Sequence, residues 1–298
     1  MRIAAVPALL LLVLTACAPQ EEAADSPETG SSGSSESSAA GDPGAIDAAG
    51  ASAPADLPTL TDGVLTIGTD EPAFEPWFTE DDPTNGEGFE SAVAYAVAGQ
   101  LGYDEGTVEW VRVPFNAAIS PGPKQFDIDI NQFTITQERR AAVDFSSPYY
   151  DVAQAVIATG ASPAAGVTDI AGLAELNIGA QVGTTSFDAA AAVLGEDPQT
   201  FNTNDDAKVA LENGQIDALV VDLPTAFFIT AAELEDGVVV GQLPSAGGEQ
   251  EQFGIVLDLD SPLTECISGA VDALREDGTL DGLEQQWLSD VAGAPELQ

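Results

Sequence analysis

From Val64 onward short apolar runs alternate with stretches whose apolar residues recur at helical spacing, and this restricts the chain to an α/β architecture. Runs 64–68, 108–113, 126–130, 177–182 and 216–221 are too short for helices and are predicted to be strands. Segment 89–101 carries Val93, Val97 and Leu101 on one helical face and stops at Gly102; 186–194, 205–213 and 224–234 are also predicted helices. A short helix is predicted over 137–142, with Thr136 as its N-cap. Two extended segments, 151–159 and 251–258, bracket the second α/β unit, and helical segments 262–274 and 280–288 follow. One lobe is thus interrupted by another and closed by C-terminal helices. The layout predicts a two-lobed α/β fold with two crossover segments at the hinge and a cleft between the lobes. The expected lobes are 58–153 plus 253–298 and 154–252.

Residues 1–17 read as an export signal. Arg2 supplies a positive start, and Ile3–Leu14 is an apolar stretch interrupted only by Pro7, shorter than the roughly 20 residues a membrane span needs. It ends Leu14-Thr15-Ala16-Cys17, which resembles the bacterial lipobox, so Cys17 is the expected lipidation site. An ordinary secretory signal with a chance cysteine is the competing reading. Residues 18–57 are dominated by Ser, Gly, Ala, Pro, Asp and Glu, with no aromatic or basic residue, and are expected to be a disordered acidic linker. The protein is therefore expected outside the cytoplasm, held as a monomer to the outer face of the membrane by its lipid. Cys266, the only other cysteine, is expected to be a small buried core residue.

Charge narrows the function. Fifty Asp and Glu face seven Lys and Arg, a formal net charge of −43, with no histidine. Such a surface repels phosphate backbones, so no nucleic acid partner is expected. The missing imidazole removes Ser-His-Asp and Cys-His catalysis and the commonest metal ligand, so no enzyme activity, metal or cofactor is expected. Self-repulsion of this size favours a saline medium.

In open parallel sheets ligands bind beyond the carboxyl ends of strands, and four polar clusters stand there. Asp70 follows the first strand. Asn131 and Gln132 follow the third and lead into Thr134-Ile135-Thr136-Gln137-Glu138-Arg139; Gly183-Thr184-Thr185-Ser186 separates a strand from a helix; Asp222 ends the run 216–221, and Pro224 suits a helix start. Plainer roles exist for each. Residues 183–186 would serve as a turn and cap, Asp222 as an N-cap, and Arg139 as a surface partner of Glu138 or Asp144, a bond contributing about 0–1 kcal/mol. Yet beyond the leader the basic residues are only Arg112, Lys124, Arg139, Arg140, Lys208 and Arg275, and a guanidinium is well shaped to hold a carboxylate. Arg140 is the expected surface member of its pair. An anion clamp (Arg139, Thr185) with an acceptor for a cation (Asp222, with Asp70 as second candidate) describes a site for a zwitterion. Phe74, Trp77 and Phe78 offer a stacking wall; Phe74 is the preferred ring, and interlobe packing is the alternative for the other two.

Taken in order and spacing, five segments resemble family 3 solute-binding proteins, the extracellular receptors of polar amino-acid ABC importers, with the type II periplasmic-binding-protein fold. They are Leu65-Thr66-Ile67-Gly68-Thr69-Asp70, Gly88-Phe89-Glu90, Thr134 to Arg139 continuing through Val143-Asp144-Phe145-Ser146-Ser147-Pro148-Tyr149-Tyr150, Gly183 to Ser186, and Gly214-Gln215-Ile216-Asp217 running to Asp222. The resemblance implies that Arg139 binds a ligand α-carboxylate with Thr134 and Thr185, that Asp222 receives the α-ammonium, and that the aromatic after Asp70 covers the side chain. With Thr184 and Gln132 added, the candidate ligand-binding set is Asp70, Phe74, Gln132, Thr134, Arg139, Thr184, Thr185 and Asp222. An ABC permease is the implied partner. Two departures stand out: Glu90 replaces the usual Asp and is followed by Ser91-Ala92-Val93, and Asn131-Gln132 replaces smaller residues. The alternatives are a receptor for a compatible solute such as ectoine and an enzyme, such as a dehydratase, on the same fold.

Overall fold

Leu65–Thr69 is wholly buried because it runs parallel to a neighbour on each side with both faces covered, and it forms strand β1 at the heart of the first lobe. The computed structural model describes residues 57–245, 250–288 and 293–298. The predicted signal 1–17, Cys17 and all but the last residue of the predicted linker lie outside the described residues.

After β1 come helix α1 (Phe89–Gln100), strand β2 (Val108–Arg112), helix α2 (Phe115–Ala118), strand β3 (Ile128–Asp129) and strand β4 (Val143–Val152). The chain crosses to strand β5 (Gln154–Thr159), followed by α3 (Ile170–Leu173), β6 (Ile178–Gln181), α4 (Thr185–Leu194), β7 (Gln199–Phe201) and α5 (Asn204–Glu212). Strand β8 (Ala218–Asp222), α6 (Leu223–Phe228), one π turn over Ile229–Glu233 and β9 (Gly237–Gln242) complete that lobe. The chain then returns through β10 (Glu251–Asp258) to α7 (Thr264–Glu276) and α8 (Thr279–Trp287). Two five-stranded mixed sheets result, ordered β2-β1-β3-β10-β4 and β7-β6-β8-β5-β9.

Each sheet has its own core. In the first, α1 buries Phe89, Val93, Ala94, Val97 and Ala98 at three- and four-residue spacing against Trp77, Phe78, Leu65 and Ile67, with Ile267, Val271 and Leu274 of α7 closing the same cluster. The helix can begin where it does because Gly88, at φ +93°, has no Cβ; one would stand 2.5 Å from the Trp77 carbonyl oxygen. Trp77 and Phe78 are fully buried here, so neither is an open stacking wall. The Trp77 indole N–H donates across the lobes to Thr225 Oγ1 at 2.8 Å.

Several expectations need correcting. Strand β10 belongs entirely to the first sheet, so the second crossing falls between Gln242 and Glu251 and not at 252/253. Residues 295–298 belong with the second lobe, not the first. Gln242 N donates to the Pro295 carbonyl at 2.8 Å, Leu297 N to the Gln242 carbonyl at 2.9 Å, and the Leu297 side chain is buried in the second core. The predicted helix over 137–142 is a single 3-10 turn, Arg139–Ala141, with Glu138 and not Thr136 at its N-cap; the Thr136 hydroxyl accepts from Arg139 N at 3.1 Å. The helix predicted to Leu234 gives way to the π turn after Phe228, and strands β7 and β9 have no counterpart in the sequence reading. Cys266 is half-buried against the first core, not fully buried. Among the described residues no helix is long and apolar enough to cross a membrane.

Candidate inter-lobe binding site

The carboxyl ends of β1, β3, β6 and β8 meet across the gap between the sheets, and each delivers the polar group that follows it. Asp70 comes off β1 and Asn131–Thr134 off β3; Gln181 ends β6, and the turn Val182–Thr184 leads into α4; Asp222 is the last residue of β8. All eight candidate residues line one cavity of about 30 Å³, together with Phe115, Asn131, Gln181, Ser186 and Asn204.

Arg139 is the hub. Its residue is buried, while Arg140 beside it is exposed and lies over the Phe145 ring at 5.8 Å. The Arg139 guanidinium donates through Nη1 to the Thr134 carbonyl at 2.7 Å and through Nη2 to the Gly183 carbonyl of the opposite lobe at 3.0 Å, and it packs over Phe115 at 5.4 Å. Burial lowers its pKa; Asp222 is the acid that most opposes this, followed by Asp188, Glu251 and Glu138. Two N–H groups are thus spent on carbonyls that hold the fork rigid, and the others remain for an anion.

Thr134 Oγ1 and Thr185 Oγ1 meet across the gap at 3.1 Å. Thr184 is committed differently: its hydroxyl donates to the Gln181 carbonyl at 2.8 Å and caps α4 by accepting from Phe187 N at 3.1 Å. The N-terminus of α4, at Thr184, Thr185 and Ser186, thus borders the cavity, and a helix N-terminus favours negative charge. Gly183, at φ +80°, lets the turn pass Asn116; a Cβ there would stand 2.3 Å from Asn116 Oδ1.

In the same cavity, Asp222 accepts from Gln154 Nε2 at 2.9 Å. Its pKa is pushed up to about 7, chiefly by burial and further by Glu251, against the Gln154 bond and Arg139. Asp70 accepts from Glu71 N at 2.7 Å and Phe115 N at 3.1 Å, and burial raises its pKa above the usual carboxylate range. Phe74 stands half-buried at the cavity wall.

Sequence reasoning missed Gln154. This buried amide joins the walls: Nε2 lies 3.0 Å from Glu251 Oε2 and 3.3 Å from Thr185 Oγ1, and Oε1 accepts from Ser186 Oγ at 2.6 Å. A polar residue opening the apolar run Ala155-Val156-Ile157-Ala158 beside the crossover was the available signal. Gln181, closing the short run 178–180, carried a similar mark; Phe115 and Asn204 did not. Among the described residues no group of three or more Cys, Asp or Glu side chains is arranged to hold a metal ion.

The profile of the bacterial extracellular solute-binding proteins, family 3, matches residues 65–290, most of the chain. The chain belongs to that family. It is accordingly an extracytoplasmic binding protein, and its family is one of solute receptors, not enzymes. The L-arginine-binding protein of Pseudomonas aeruginosa is 30% identical over 80% of this chain and 93% of its own. The L-cystine-binding protein TcyJ of Escherichia coli (strain K12) is 27% identical over 76% of this chain and 83% of its own. Among solved structures, an ancestral arginine-binding protein bound to glutamine aligns with TM-score 0.65 and 29% identity over 77% of this chain and all of its own. A mutant of ArgBP from T. maritima aligns with TM-score 0.63 and 30% identity over 76% and 96%. The two-lobed type II periplasmic-binding-protein fold of these neighbours is the fold described above.

Proposed function

We propose that the protein captures a free amino acid between its lobes and delivers it to the permease of an ABC importer, while a lipid on Cys17 holds it to the outer face of the membrane. The observation that carries this reading is that the buried Arg139 guanidinium and the Asp222 carboxyl, one from each lobe, line one small cavity. A fixed cation and an acid in one cavity match the two ends of a zwitterion. Arg139 takes the α-carboxylate with Thr134, Thr185 and the N-terminus of α4; Asp222 takes the α-ammonium; Phe74 covers the side chain, near Asp70 and Gln132. Thr184 shapes the clamp through its cap without offering its own hydroxyl. Similar proteins named for binding arginine, cystine, histidine and glutamine support an amino-acid cargo, and one of them is named as part of an ABC transporter.

The test is a thermal-shift and calorimetric screen of the purified chain against the common amino acids and against compatible solutes such as ectoine. Binding of at least one α-amino acid, lost when its α-carboxylate is amidated, is the expected result. Stabilisation by ectoine with none by any amino acid overturns the reading. Metabolic labelling with a radioactive fatty acid tests the anchor: the label is expected on the wild-type chain and absent after Cys17→Ser.

A further inference from the structure

Beneath the cleft lies a group that binding does not directly require. Glu90, in the first turn of α1, is fully buried and faces three donors. The Tyr149 hydroxyl donates to Oε1, Gln132 N donates to the same oxygen at 2.7 Å, and Gln132 Nε2 donates to Oε2. Three donors and a helix N-terminus favour the ionised form, although burial pushes the pKa up to about 7.

Above about pH 7, where Glu90 is ionised, its carboxylate only accepts hydrogen bonds, so it fixes which end of a neighbouring amide turns toward it. Gln132 is therefore held by its NH2, and since the amide is planar its carbonyl oxygen points away from Glu90. The residue lines the inter-lobe cavity between Asn131 and Thr134. Its backbone, at φ +48°, lies in the left-handed region, which a side chain other than glycine seldom adopts. Glu90 thus grips Gln132 at both backbone and side chain in a conformation it would not take alone.

We propose that Glu90 is a specificity-determining positioning residue: by holding the Gln132 amide NH2 it presents the Gln132 carbonyl to the ligand, and so selects amino acids whose side chains end in an N–H donor (amide, amine or guanidinium) over those ending in a carboxylate. Asp70, which lines the same cavity, works in the same sense. This inference rests on the amino-acid reading of the cleft.

L-glutamine and L-glutamate are the sharpest probes, being nearly isosteric and differing in a terminal NH2 against an oxygen. Their dissociation constants are measured by calorimetry on the wild-type chain and on Glu90→Gln, Gln132→Met and Tyr149→Phe. The wild type is expected to favour glutamine by about a hundredfold or more. Glu90→Gln, whose own amide permits Gln132 to turn over, and Gln132→Met, which keeps bulk but loses the carbonyl, are each expected to cut that ratio about tenfold or more. Tyr149→Phe leaves both Gln132 bonds in place and is expected to preserve it, which separates positioning from general loss of structure. A ratio unchanged in Gln132→Met, or a wild type that prefers glutamate, overturns the proposal. Should Glu90→Gln not fold, hydrogen exchange of the Gln132 side-chain NH2 in the wild type, assigned by its loss in Gln132→Met, decides instead. Slow exchange is expected, and fast exchange overturns the proposal. Failure of the wild type to bind any amino acid would instead sink the functional reading on which this one stands.

Discussion

At the scale of single residues, the site sets an ionisable pair against its ordinary chemistry. The Asp222 carboxyl, pushed up to about 7 by burial, must be ionised to receive an ammonium group. Affinity for a zwitterion is therefore expected to hold above neutrality and to fall about tenfold per pH unit once the pH drops below about 7, because each binding event must then expel a proton. Calorimetry across that range checks this, and Asp222→Asn should bind weakly at every pH with the dependence flattened. The same groups act on stability in the opposite sense. Glu90 and Asp222 both titrate near 7 when folded, well above their ordinary values near 4, so the folded chain holds extra protons in that window. Stability is then greatest toward the acid end and declines as the pH rises through about 7. The ligand-free melting temperature is expected to climb as the pH is lowered from about 8 to about 5. A melting temperature that falls steadily over that interval contradicts the assignment of buried acids.

At the scale of elements, the cap of α4 is the joint between fold and site. Thr184→Ala removes the hydroxyl that accepts from Phe187 N, and is expected to cost about 1 kcal/mol of stability. For a chain of this size that is a fall of roughly 2–4 °C in melting temperature, with a modest loss of affinity from the loosened anion clamp. Much of this layer was legible beforehand. Strand β10 coincides with the predicted segment 251–258, and α1 starts and stops within a residue of its prediction, since both have strong periodicity and clear punctuation. The polar clusters at strand ends could be located for the same reason: a polar group ending an apolar run is visible without a structure. What escaped are features made by distant pairing. Gln154 meets Glu251 across 97 residues of chain, and the tail at 295–298 adds to the second lobe by pairing with Gln242. Strand β7 carries only three residues, two of them exposed, so it has no apolar run to announce it. The meaning of Glu90 was hidden too: in sequence it is one acid in a helix, and only its two bonds from Gln132 make it a support for that residue.

For the molecule as a whole, three of the few cations among the described residues tie separate segments together. Arg112 ties Asp81 to the Asp70 carbonyl, Lys208 bridges Asp205 and Glu233, and Arg275 reaches the Pro148 carbonyl. The remaining negative surface is unrelieved, so melting temperature is expected to rise between low and molar salt as screening improves. The proposed capture calls for a hinge motion: the lobes touch through Arg139 and Gly183, Thr134 and Thr185, and Trp77 and Thr225, and opening the cleft would part those contacts. The proposed function depends on the Arg139 guanidinium, which bridges the lobes and is the proposed anchor for an anion. Calorimetric titration of the wild type and Arg139→Ala with the amino acid that binds most tightly tests it most directly. Binding by the wild type, with affinity lowered about a hundredfold or more in the variant, is the predicted result. Equal affinities in the two proteins, with both folded, would contradict it.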